Sequence, residues 1–124
     1  MFNQDFLKTL TILYVEDDKL AREKLAKILK RFFKTVIVSS NGSEGLSLFL
    51  EQKKDIDLIL SDINMPIMDG LEMLEKIREV DSNIPIIYTT ARTESTELLK
   101  AIELQANHYV LKPVDIEDVI KRIQ

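Results

Sequence analysis

The chain contains no cysteine and no tryptophan, and only 3 glycines, 3 prolines and 1 histidine among its 124 residues. Without cysteine there is no disulfide scaffold, no thiolate metal site and no cysteine nucleophile. That absence suits a reducing compartment, and a cytoplasmic location is expected. So few glycines leave no phosphate-cradling loop: neither GxGxxG nor GxxxxGK[ST] occurs, which counts against a flavin or nucleotide binder. No apolar run approaches the roughly 20 residues that span a bilayer. The opening MFNQDFLKTL carries Asp5 and lacks a basic start followed by an apolar stretch, so it does not read as a signal peptide. Positive charge is also in deficit. Lys plus Arg is 17 against 21 Asp plus Glu, a net −4, which excludes a generally basic nucleic-acid surface on this segment.

What is present is a regular alternation of short apolar runs and longer amphipathic stretches. Hydrophobic residues make up 45%, a globular share, and the length fits one domain. Strands are expected at 11–15 (TILYV), 35–39 (TVIVS), 57–61 (DLILS), 85–89 (PIIYT) and 108–111 (HYVL). Between them, apolar residues recur at 3–4-residue steps, as in Ala21, Leu25, Ile28, Leu29 and Phe32. Asn41-Gly42 and Asp69-Gly70 mark turns, and Asp18 and Asp115 suit helix N-caps. The second to fourth runs are near-continuous, the pattern of strands buried on both faces of a parallel sheet. Five βα units imply right-handed crossovers and a three-layer α/β sandwich. Residues 1–10 precede it as an extension, and the Phe2, Phe6, Leu10 spacing predicts that it packs on the domain.

In such a sheet, ligands sit beyond the carboxyl ends of the strands. There the sequence sets Glu16, Asp17 and Asp18, then Asp62 and Asn64, then Thr89, Thr90 and Ala91, then Lys112. Clustered carboxylates resist simultaneous ionisation, and a divalent cation removes that cost. Oxygen-only ligands, few in number, favour Mg²⁺ over Ca²⁺. One carboxylate then becomes a nucleophile toward a phosphoryl group, while the ammonium and a hydroxyl offset the charge on its oxygens.

The segments YVEDD (14–18), SDINMPIMDG (61–70), TTAR (89–92) and HYVLKP (108–113), in that order, resemble the receiver domain of two-component response regulators. The resemblance runs from Thr11 to Ile123. It implies a flavodoxin-like (βα)5 fold with sheet order 2-1-3-4-5. It implies that Glu16, Asp17, Asp62 and the backbone carbonyl of Asn64 hold Mg²⁺, and that Asp62 is the phosphoacceptor. Lys112 would pair with the phosphoryl group, Thr90 would be the switch hydroxyl, and Ala91 the small residue that keeps the pocket open. Tyr109 would be the aromatic that follows Thr90; Thr89, one position earlier, is outside the match. In that family the Lys-Pro bond is often cis, and the resemblance leaves the isomer of Lys112-Pro113 open. The implied partners are a sensor histidine kinase or phosphotransfer protein, and an output domain or partner protein. The switching surface is that of the fourth helix, fifth strand and fifth helix of the βα series. Asn64 and Arg92, each two residues beyond a site residue, would set the phosphoryl lifetime.

Blander roles compete for several of these positions. Asp62 taken alone fits a strand-end turn, Thr90 a strand former, and Tyr109 packing as well as switching. Asp18 is expected as a cap only, His108 at the surface, and Met65 and Met68 as loop packing. Gln105 stands where many relatives carry glycine, which changes the end of the fourth helix. Asp118 and Arg122 match only part of a dimer-forming charge set, since Asn107 replaces an aspartate, so a monomer or weak dimer is expected. An interaction module that works without phosphorylation is the second class of function; it usually lacks a site residue, and none is missing here. A phosphohydrolase with an aspartate nucleophile usually carries a second aspartate where this chain has Asn64. The apolar stripe of the last helix ends at Ile123, close to the chain end, which suggests a receiver cut from a longer regulator.

Overall fold

The computed structural model describes residues 4–91, 94–104 and 108–123. The expected strand–helix alternation is present: α1 (Gln4–Leu7), β1 (Thr11–Val15), α2 (Lys19–Phe32), β2 (Thr35–Ser39), α3 (Gly42–Gln52), β3 (Leu58–Asp62), α4 (Gly70–Arg78), β4 (Ile86–Thr90), α5 (Thr96–Leu104), β5 (His108–Leu111) and α6 (Ile116–Ile123). The strands form one sheet in the order β2-β1-β3-β4-β5, every neighbouring pair parallel.

Two strands begin one residue later than their apolar runs suggest. Asp57 is spent on strand entry: its carboxylate accepts the Thr11 N–H at 2.8 Å, and its own N–H donates to the Thr11 carbonyl at 2.9 Å. Pro85 has no N–H for the ladder and contributes only its carbonyl, which accepts from Ile59 N at 3.0 Å. The shift makes Asp62 and Thr90 the last residues of β3 and β4 rather than the first residues beyond them. Another correction concerns β2. Its apolar run is not buried on both faces, because β2 is an edge strand and Val38 stays 40% exposed.

The core lies on both faces of the sheet. One face packs Ile12, Tyr14, Leu60, Ile87 and Val110 under Leu25 and Leu29 of α2 and Val119 and Ile120 of α6. The other packs Leu13, Val15, Ile59, Ile86 and Tyr88 under Phe49 of α3, Met73 and Ile77 of α4 and Ile102 of α5. Met65 and Met68 pack against this second face, as expected. The N-terminal extension packs on the core through Leu7 and Leu10, while Phe6 is 47% exposed. Turn bonds from Thr9 N to Phe6 O and from Leu10 N to Leu7 O, both 3.0 Å, close the short helix with Leu7 inward. Phe2 lies outside the described residues.

Helix starts follow local chemistry. Asp18, Asn41 and Asp69 accept the N–H groups of Ala21, Glu44 and Glu72 at 2.9, 2.9 and 2.8 Å. Asp115 accepts from Glu117 N at 3.0 Å ahead of α6. The Lys112-Pro113 bond is cis. Among the described residues no helix is long and apolar enough to cross a membrane.

Candidate functional site

Parallel strands carry their carboxyl ends to one edge of the sheet, and the charged residues of the sequence meet there. Asp62 closes β3, Glu16 follows β1, and Lys112 follows β5. Asp62 and Glu16 are nearly buried, 6% and 2% exposed, whereas Asp17 faces solvent. The Lys112 ammonium donates to Asp62 Oδ2 at 2.9 Å and lies 3.4 Å from Glu16 Oε1. The other Asp62 oxygen accepts the Ile63 N–H at 2.8 Å. Glu16 Oε2 accepts the Asp18 N–H at 3.1 Å.

Burial sets the protonation chemistry. It pushes the Glu16 carboxyl above the usual range; the Asp18 N–H opposes this and the Asp62 charge reinforces it. Burial also works against the charge of Lys112, but Asp62 and Glu16 outweigh it and raise that ammonium above its ordinary value. Tyr14, buried on the sheet face below Glu16 and Asp62, is raised first by burial and then by those two charges.

One oxygen each from Glu16, Asp17 and Asp62 lie within 4.8 Å of one another. Exposed acidic groups cluster in many proteins to no purpose, but two of these three are buried. Three carboxylates against one ammonium leave an uncompensated negative charge, and the donors are all oxygen. That set fits a hard divalent cation.

The loop after Asp62 is clamped from both sides. Gly70 N donates to Ile63 O at 2.8 Å, and Gly42 N donates to Met68 O at 3.1 Å. Neither glycine tolerates a side chain: a Cβ on Gly70 would sit 2.2 Å from the Asp62 carbonyl oxygen, and one on Gly42 2.2 Å from that of Met68. So Gly42 and Gly70 are close-approach glycines more than turn glycines. At the loop tip Ile67 has φ 71° and is 81% exposed, in a tight turn closed by Met68 N to Pro66 O at 2.7 Å.

Thr90 ends β4 at the same edge of the sheet, whereas His108 begins β5 at the other edge. Thr90 and Thr89 are both 1% exposed, and neither hydroxyl has a hydrogen-bond partner among the described residues. Tyr109 is half-buried on β5, paired in register with Tyr88. Asn64 is exposed, and its side chain donates to Glu94 at 3.4 Å. Ala91 and His108 are at the surface. Arg92, Gln105 and Asn107 lie outside the described residues. Sequence reasoning missed Arg22, whose guanidinium donates to the Glu16 carbonyl at 2.8 Å and the Asp17 carbonyl at 3.4 Å. Its only signal was a basic residue in the first turn of a helix, which ordinarily reads as solvated.

The family model for the response regulator receiver domain matches residues 12–124. The chain belongs to the response regulator receiver family. Receiver domains act as signalling switches, and phosphorylation on aspartate with Mg²⁺ dependence is general among them. This receiver is 36% identical over 117 residues to the transcriptional regulatory protein YkoG of Bacillus subtilis, covering 91% of this chain but 49% of that one. It is 31% identical over 113 residues to the chemotaxis protein CheY of Treponema pallidum, covering 90% of this chain and 78% of that protein. In structure it resembles a chain of the CheX–CheY–BeF3–Mg complex from Borrelia burgdorferi, with a TM-score of 0.84 at 26% identity, covering 98% of this chain and 92% of that one. The receiver thus spans about half the length of YkoG.

Proposed function

We propose that this receiver takes a phosphoryl group onto Asp62 from a phosphohistidine of a sensor histidine kinase or phosphotransfer protein, in the cytoplasm, and thereby controls an output domain or partner protein. A single observation carries the reading. The nearly buried Asp62 carboxylate ends β3 with Lys112 Nζ 2.9 Å from one oxygen, within 4.8 Å of Glu16 and Asp17 oxygens. An Asp62 oxygen attacks phosphorus, and the bond from phosphorus to the donor imidazole nitrogen breaks. The electron pair stays on that nitrogen, and an acyl phosphate forms. Glu16, Asp17, Asp62 and the Asn64 carbonyl would hold Mg²⁺, which when bound offsets charge on the transferring oxygens. Lys112, 2.9 Å from Asp62 Oδ2, neutralises the remainder.

Thr90 supplies the switch. Its buried hydroxyl lacks a partner among the described residues and gains one by turning to a phosphoryl oxygen. Tyr109 follows, and the surface of α5, β5 and α6 moves between two pre-existing arrangements.

Intact-mass spectrometry after treatment with acetyl phosphate and Mg²⁺ tests the reading. Wild type is expected to gain about one phosphoryl mass and Asp62→Ala none, on the one-nucleophile mechanism. No adduct on wild type would instead indicate an interaction module that works without phosphorylation.

A further inference from the structure

Of the two orphaned buried hydroxyls on β4, the phosphoryl switch uses only Thr90. Thr89 has the same burial and the same missing partner among the described residues. Its place in the sheet is specific. β4 lies between β3 and β5, and the register pairs Asp62 with Thr89 and Thr89 with Val110. Strand residues alternate faces, so Asp62, Thr89 and Val110 share one face, and Thr90 sits on the other. Lys112 N continues the ladder to Thr90 O at 2.8 Å, two residues beyond Val110. The Lys112–Asp62 bond therefore runs across β4 on the face that bears Thr89.

We propose that Thr89 is a positioning residue for phosphoryl transfer. Its hydroxyl, unpartnered among the described residues in this structure, accepts an N–H of Lys112 only as the Asp62 carboxylate becomes an acyl phosphate, and so steadies the ammonium during transfer. This rests on Asp62 being the phosphoacceptor. The ammonium has three donors, and the described residues offer it two carboxylate oxygens, on Asp62 and Glu16. The unpartnered Thr89 hydroxyl, on the strand between Asp62 and β5, is placed to become the third acceptor during transfer. The competing explanation is that threonine merely stands in for valine at a buried strand position. A buried hydroxyl without a partner is costly there, and valine of the same shape would avoid that cost.

The test uses the full 124-residue chain, acetyl phosphate as donor and MgCl₂. Thr89→Val should fold with a raised Tm. Its phosphorylation rate at saturating donor should fall about tenfold, the scale of a hydrogen bond to a charged group. The half-saturating donor concentration should not change. Thr89→Ser should stay within about twofold of wild type, since it keeps the acceptor. In a Lys112→Met background, Thr89→Val should cause no further loss, because the hydroxyl acts through that ammonium. A Thr89→Val protein with wild-type rates and only a higher Tm overturns the proposal in favour of the valine stand-in. So does an undiminished loss in the Lys112→Met background. If wild type takes up no phosphoryl group, the Asp62 reading itself fails, and this inference with it.

Discussion

Glu16 shows how one residue joins stability to function. It is almost fully buried and charged, with its pKa pushed up by burial, and its compensation is one N–H and one ammonium. Glu16→Gln keeps the shape and an acceptor for the Asp18 N–H while removing the charge. Its stability in Mg²⁺-free buffer should equal or exceed that of wild type by urea denaturation. Its Mg²⁺ affinity, measured by titration, should fall at least the roughly tenfold that loss of an outer hydrogen-bond partner produces. Ile67 shows the opposite economy. A β-branched residue at φ 71° is strained, and its exposed side chain gains little from packing. Ile67→Gly should raise the unfolding free energy by about 0.5–1 kcal/mol, the left-handed penalty less the entropy cost of glycine. An unchanged or lower urea midpoint would contradict that.

Elements hold the site in shape. The segment from Ile63 to Asp69 is neither helix nor strand, yet Gly42 at the start of α3 and Gly70 at the start of α4 fasten it at both ends. Gly70→Ala drives a methyl group into the Asp62 carbonyl, so stability should drop by about 1–3 kcal/mol, the usual cost of overpacking. The phosphorylation rate should fall with it, because the strain falls on the backbone of Asp62, the proposed phosphoacceptor. A Gly70→Ala protein with wild-type stability would show that α4 moves freely against β3. The cap of α2 was visible in the sequence, because capping depends on residues three apart, whereas Asn41 and Asp69, which mark turns there, prove to cap α3 and α4. The strand starts at Leu58 and Ile86 were not. They depend on Asp57 bonding Thr11, 46 residues away, and on which strand Pro85 adjoins.

At the scale of the whole molecule, the titratable groups set an alkaline limit. Tyr14 and Tyr88 are raised from an ordinary value of 10.0, chiefly by burial, and Lys112 is raised by its carboxylate partners against the opposing effect of burial. For a raised group, the stabilising contribution is complete below the unfolded pKa and is lost as pH rises toward the folded one. All three act in the same direction, so the urea midpoint should hold to about pH 9 and decline beyond about pH 10, the range in which free tyrosine and lysine titrate. Tyr14→Phe should soften that decline; a midpoint that rises with pH in this window would contradict the linkage.

Read by itself, the sequence determined the order of the βα units, the cap of α2, the all-oxygen acidic cluster and the four strand-end segments that mark the family. These rest on periodicity and on residues close along the chain, where geometry is local. The tertiary structure alone decided that β2 lies exposed at an edge and that Leu7 rather than Phe6 is buried. It also decided that Arg22 braces the carbonyls of the acidic pair, and that Thr89 pairs in register with Asp62. The bond between Asp62 and Lys112 joins residues 50 apart and crosses an intervening strand. Its position is set by register, and register is a property of paired strands that no single segment carries.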